Sequence, residues 1–140
     1  VDDRGARLYA GAANYRLELD GGGDGAVVLL HGLGGELAQL WGVTTGSVGG
    51  RPAPILAADA REHGGTPTLD VEALSFDLMA RDVIGLAEHL RLGPRLVLIG
   101  VSMGAATALA VALRYPDRVH GLVLVRPAWL DRPLPENLRV

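Results

Sequence analysis

Between Tyr15 and Leu19 apolar and polar residues alternate, with Arg16 and Glu18 falling between Tyr15, Leu17 and Leu19. A period of two predicts a half-buried strand, here an antiparallel one at the margin of a sheet. Later stretches do not alternate. Ala26 to Leu30, Pro54 to Ala58, Arg95 to Ile99 and Gly121 to Val125 are nearly continuous apolar runs, the pattern of strands covered on both faces. A helical period begins near Ser75: Met79, Val83, Leu86, Ala87 and Leu90 share one face, with Ser75 as N-cap, Asp77 in the first turn and Gly93-Pro94 as the stop. An Ala-rich segment from about Met103 to Tyr115, ended by Pro116, predicts a second long helix, and Glu36 to Trp41 a short one. Gly21 to Gly25 reads as a hairpin turn, and Gly42 to Gly50 as a loop with no core face.

Strands that alternate with helices predict an α/β domain, a mostly parallel sheet with helices on both faces. Ligands in such sheets collect at the carboxyl ends of the strands. Three of the predicted strands end there in glycine-rich or polar segments: His31-Gly32-Leu33-Gly34-Gly35, Asp59-Ala60-Arg61-Glu62-His63-Gly64-Gly65-Thr66 and Gly100-Val101-Ser102-Met103-Gly104. The three should meet at one crevice.

Composition narrows the chemistry. With 140 residues and 49% hydrophobic content the chain is expected to form one globular domain, its core over residues 15–130 and residues 1–14 an irregular N-terminal segment. There is no cysteine, so disulfides, thiolate nucleophiles and Cys-based zinc sites are excluded. All 13 basic residues are Arg, and the absence of Lys excludes a Walker-type phosphate lysine, a Schiff-base lysine and a Ser-Lys dyad. The formal net charge is −3 and the basic residues are scattered, which argues against nucleic-acid and membrane partners. Gly21, Gly23 and Ala26 fit a dinucleotide G-x-G-x-x-A pattern, but they lead into a strand where that fingerprint needs a helix, so no cofactor is expected. The start, Val1-Asp2-Asp3-Arg4, is polar and no apolar run of signal-peptide length follows, so a cytoplasmic location is the expectation.

The G-x-S-x-G at Gly100 to Gly104 joins a strand to a helix, the context of a nucleophile elbow, in which a sharp turn lifts the serine hydroxyl above the sheet edge. Each motif is weak alone, but their order and strand context reinforce one another. Together they resemble the α/β-hydrolase family of serine hydrolases, esterase- and lipase-like, over about Ala26 to Trp129. Two departures stand out. Glu62 replaces the first glycine of the family's D-x-R-G-H-G-x-S loop and is strained if that position needs a positive φ. Val101 stands where many relatives carry histidine.

The resemblance implies Ser102 as nucleophile, the backbone N–H groups of Leu33 and Met103 as oxyanion-hole donors, and His31 as the residue that orients the oxyanion loop. The family places its acid and its histidine after the serine. Here His120 is the only later histidine, and it precedes the last predicted strand, at the amino edge of the sheet. His89 lies on the polar side of its helix beside Glu88 and Arg91, and His63 is the remaining candidate for a substitute base. Asp131 and Glu136 lie in a Pro-rich stretch that reads as the start of a lid, and neither is assigned as the acid. The expectation is therefore the N-terminal part of the fold, truncated before its last strands and without metal ligands. Its complete form would cleave an ester, lactone or similar acyl bond through a Ser102 acyl-enzyme. A small uncharged acyl substrate is the expected partner, and the open edge at Gly121 to Val125 invites a homo-oligomer. Two alternatives remain: a non-catalytic remnant that binds a ligand or partner, and a perhydrolase or carbon–carbon hydrolase branch of the same family.

Overall fold

A computed structural model describes residues 7–10, 13–20, 25–40, 54–66 and 75–128. Among these residues six strands form one sheet: β1 (Arg7–Ala10), β2 (Ala13–Asp20), β3 (Gly25–Leu30), β4 (Ile55–Ala58), β5 (Arg95–Val101) and β6 (Val119–Val125). Their order is β1-β2-β4-β3-β5-β6. β3 pairs in parallel with both β4 and β5, and β5 in parallel with β6, while β2 is antiparallel to β4 and to β1. β2 is therefore one strand in from the edge that its alternation suggested. β1 forms where an irregular segment was expected, because four residues of mixed polarity are too few to show a period in sequence. Gly21 to Asp24 and Gly42 to Gly50 lie outside the described residues.

The chain leaves β3 for β4 on one side and returns past β3 to β5 on the other, so the winding direction reverses between β3 and β5. A crevice opens at the carboxyl ends of strands at such a reversal. Two long helices, α1 (Phe76–His89) and α2 (Met103–Arg114), lie on one face of the sheet. They bury Met79, Ala80, Val83, Ile84, Leu86 and Ala87 from α1, and Ala105, Ala106, Ala108 and Val111 from α2. Against them stand Ala26, Val28, Leu56, Leu96 and Leu98. The opposite strand positions, Val27, Leu29 and Ala57, pack with Leu37 at the head of a helical turn that begins at residue 38. Truncating a fully buried leucine such as Leu56, Leu96 or Leu98 (each 0% exposed) to alanine would cost about 2–5 kcal/mol.

Ser75 caps α1 by accepting the Leu78 N–H at 3.2 Å. The other end differs from expectation. α1 stops before Gly93, in a left-handed cap at Arg91 (φ +54°). Leu92 N–H reaches Ala87 O and Arg91 N–H reaches Glu88 O, and buried Leu92 supplies the apolar contact of this motif. Leu92 burial and the two closing hydrogen bonds outweigh the local preference of arginine against that backbone conformation.

Among the described residues β6 is an edge strand, as β1 is at the other end of the sheet. Leu122, Val123, Leu124 and Val125 are 37–47% exposed, on both faces of the strand. Among the described residues no helix is long and apolar enough to cross a membrane.

Candidate active site

Ser102 sits between the last residue of β5 and the first of α2, with φ +53° and ψ −110°. That backbone is neither helical nor extended, and for a residue with a Cβ it costs on the order of 1–3 kcal/mol. Two glycines make it attainable. A Cβ at Gly100 would run into the carbonyl of Gly104, and one at Gly104 into the carbonyl of Leu30. The strand, the helix start and the neighbouring strand thus touch backbone to backbone, and Ser102 stands above that contact. Its N–H donates to Val125 O at 2.9 Å, and its carbonyl accepts the N–H of Ala105.

The segment after β3 meets the elbow directly. A methyl group at Gly32 would lie 3.6 Å from Ser102 Cβ and from Val101 O. Gly32 to Gly35 form a turn closed by Gly35 N–H to Gly32 O at 3.0 Å, with Gly34 at φ +70°. Leu33, at the tip, is 45% exposed. Met103 opens α2, so its N–H lies ahead of the first bonds of that helix, which run from Ala105 and Ala106 N–H to Ser102 O.

His31 is buried beneath this turn. Its Nδ1–H donates to Gly32 O at 2.8 Å, and its Nε2 accepts the Ala60 N–H at 2.9 Å. The second bond requires an unprotonated Nε2, which fixes one neutral tautomer. Burial pushes the imidazole below its ordinary 6.5; the bond to Gly32 opposes the shift, and nearby His63 adds to it. The His63 ring lies 5.2 Å from that of His31, centroid to centroid.

Asp59, wholly buried, returns the link from the other loop. Its Oδ1 accepts the Leu37 N–H at 2.7 Å and its Oδ2 the Gly65 N–H at 2.8 Å. His31 and Asp59 therefore cross-tie the segments after β3 and β4 in both directions. A Cβ at Gly64 (φ +52°) would collide with this carboxylate. The D-A-R-E-H-G-G-T order marks the loop in sequence, but nothing in it says that the Asp59 carboxylate gathers backbone N–H groups. Arg61, two residues on, makes a bidentate pair with Asp82 of α1 at 2.6 and 2.7 Å.

Glu62 takes φ +62°, so the position does require a left-handed backbone, and the loop keeps its shape with the strain in place. Its Oε1 is buried without a hydrogen-bond partner. The other histidines fall as expected in part. His89 is exposed at the end of α1. His120 is the exposed second residue of β6, inside the strand and not before it, and still at its amino end. His63 Nδ1 is engaged with Arg61 O at 2.9 Å. Asp131 and Glu136 lie outside the described residues, as does Trp41. Among those described, no group of three His, Cys, Asp or Glu side chains could hold a metal.

Residues 22–139 match the family model described as "Serine aminopeptidase, S33". The chain belongs to this S33 family of α/β-hydrolases. Among its relatives, the mouse sn-1-specific diacylglycerol lipase ABHD11 is 39% identical over 100 residues, 71% of this chain and 32% of that protein. Human protein phosphatase methylesterase 1 is 38% identical over 115 residues, 80% and 30% of the two chains. An S33-family chain of this length thus spans about a third of these relatives. In structure, an esterase from Thermogutta terrifontis superposes with a TM-score of 0.72 at 29% identity, over 89% of this chain and 44% of the other. The epoxide hydrolase CorEH superposes with a TM-score of 0.79 at 22% identity, over 88% and 42%, and speaks for the fold alone. The mostly parallel sheet with flanking helices is therefore the α/β-hydrolase fold, represented by its part up to β6.

Proposed function

We propose that this chain carries the nucleophile and oxyanion side of a hydrolase site for carboxylic esters. The observation that supports it most is the strained Ser102 backbone (φ +53°) held against Gly32 at the carboxyl edge of the sheet, since such strain is kept where surrounding structure determines it. In this reading Ser102 Oγ attacks the ester carbon and its proton passes to a general base. Negative charge gathers on the former carbonyl oxygen, where the N–H groups of Leu33 and Met103 receive it; one such donor is worth about 3 kcal/mol in the transition state. Collapse expels the alcohol, which takes up the proton, and leaves an acyl-Ser102 ester for water to cleave.

His31 cannot be that base, because both of its ring nitrogens are engaged; it orients the loop that carries Leu33. Among the described histidines at this end of the sheet, only His63 has a ring nitrogen left over. The test is a fluorophosphonate probe with intact-mass detection, alongside p-nitrophenyl acetate turnover. Label on Ser102 that disappears in Ser102→Ala supports the proposal, and turnover in addition identifies a working base. Absence of label at any probe concentration, or label that persists in the variant, overturns it.

A further inference from the structure

Arg126 is the first residue after β6. Val101 pairs with Val125 across β5 and β6, so the residues that follow, Ser102 and Arg126, stand abreast at the carboxyl edge. The hydrogen bond from Ser102 N–H to Val125 O fixes this at 2.9 Å. Adjacent strands lie about 4.8 Å apart, within the span of an arginine side chain. The neighbourhood of the elbow looks uncharged when only its flanking sequence is read, but strand pairing brings an arginine to the adjacent backbone position.

Arg126 has a φ of +47° although Pro127 follows. A residue before proline is pushed to the extended region, and one with a Cβ rarely enters the left-handed region. Two local preferences are thus overridden at one position next to Ser102, the kind of outlier that collects at functional sites. The side chain is exposed. Arg61, Arg114 and Arg118 are each held by a carboxylate; among the described residues Arg126, like Arg81, Arg91 and Arg95, has no ion-pair partner, and of these four it is the one beside Ser102.

Resting on the acyl-hydrolase reading above, we propose that Arg126 selects esters that carry a carboxylate elsewhere in the molecule, held by the guanidinium while the ester carbonyl lies at Ser102. The planar fork of arginine matches a carboxylate with two parallel N–H···O bonds, which a lysine ammonium does not reproduce. An exposed pair of this kind strengthens binding by up to about fivefold, and salt weakens it.

The probes are monomethyl succinate and its neutral counterpart dimethyl succinate, titrated into the 15N-labelled chain while the amide signals of Leu33 and Met103 are followed. Arg126→Gly is the informative variant, because glycine accepts φ +47° and removes the charge without disturbing the turn. The expected result is tighter binding of the monoanion than of the diester. That preference should fall about three- to fivefold in Arg126→Gly and survive partly in Arg126→Lys. If both esters move the Leu33 and Met103 signals with equal affinity in the wild type and in Arg126→Gly, the selectivity is refuted and the acyl site stands. If neither ester moves those signals in the wild type, the selectivity and the oxyanion assignment fall together.

Discussion

Replacing Glu62 by glycine should make the chain more stable. Glu62 carries φ +62° and a buried Oε1 without a partner, two separable costs. A left-handed backbone costs a residue with a Cβ about 1–2 kcal/mol. Glycine returns about 0.5–1 kcal/mol of that through its larger unfolded-state entropy. The difference leaves about 0.5–1 kcal/mol in favour of Glu62→Gly over Glu62→Ala, which keeps the Cβ and the strain but loses the carboxylate. Glu62→Ala against wild type then reports the carboxylate alone. Urea unfolding followed by circular dichroism reads both: with a slope of about 2 kcal/mol per molar urea, the glycine midpoint should lie about 0.25–0.5 M above the alanine midpoint at unchanged slope. A glycine variant that unfolds at or below the alanine midpoint would falsify the assignment of backbone strain to this position. The surrounding hydrogen bonds, Glu62 N–H to Thr66 O and His63 N–H to Ala60 O, are backbone bonds, so the substitution leaves them in place.

Three further outcomes are expected. Gly104→Ala forces a methyl group into the Leu30 carbonyl, and should destabilise the chain by about 3 kcal/mol or more, or prevent soluble expression, as read by yield and thermal melting. Asp59→Asn turns one acceptor oxygen into a donor that faces a backbone N–H, at a cost of about 1–3 kcal/mol, with faster amide exchange at Leu37 and Gly65. His31 makes stability depend on acid: the unfolded imidazole takes its proton near 6.5 and the folded one only at lower pH, so between the two the unfolded chain holds more protons. Its contribution is thus whole above pH 6.5 and is lost as pH falls through the folded midpoint. Urea midpoints of wild type should drop below that of His31→Gln, relative to their values at about pH 7.5, as the pH is lowered from about 6.5 toward about 5.

The parallel strands, both long helices and the three converging loops were legible because each carries a period or a motif: continuous apolar runs for β3 to β6, a helical stripe for α1, and G-x-S-x-G for the elbow. Four features were not legible, for physical reasons. β1 is too short to show alternation. The end of α1 was assigned to Gly93, yet arginine at 91 takes the left-handed position, because burial of Leu92 is a tertiary gain that local preference does not contain. At the site, Ser102 was visible from its motif. The cross-tie through Asp59 and the proximity of Arg126 come from pairing between segments 22 or more residues apart, and no local pattern encodes such a pairing. Glu62 is the intermediate case: its strain was readable as a condition, and the structure meets the condition.

The backbone contacts among Leu30, Gly100 and Gly104 bear on how the domain can be redesigned. The nearest neighbours at both glycines are main-chain atoms, so the approach of strand to helix start beneath Ser102 is limited by backbone volume. Substitutions at Leu56, Leu96, Leu98 or Val111 therefore reach the hydroxyl only by way of the backbone, and at the stability cost of a buried truncation. Position 104 is the converse: it tolerates no amino acid but one, and makes a sensitive internal standard for whether a redesigned core still closes.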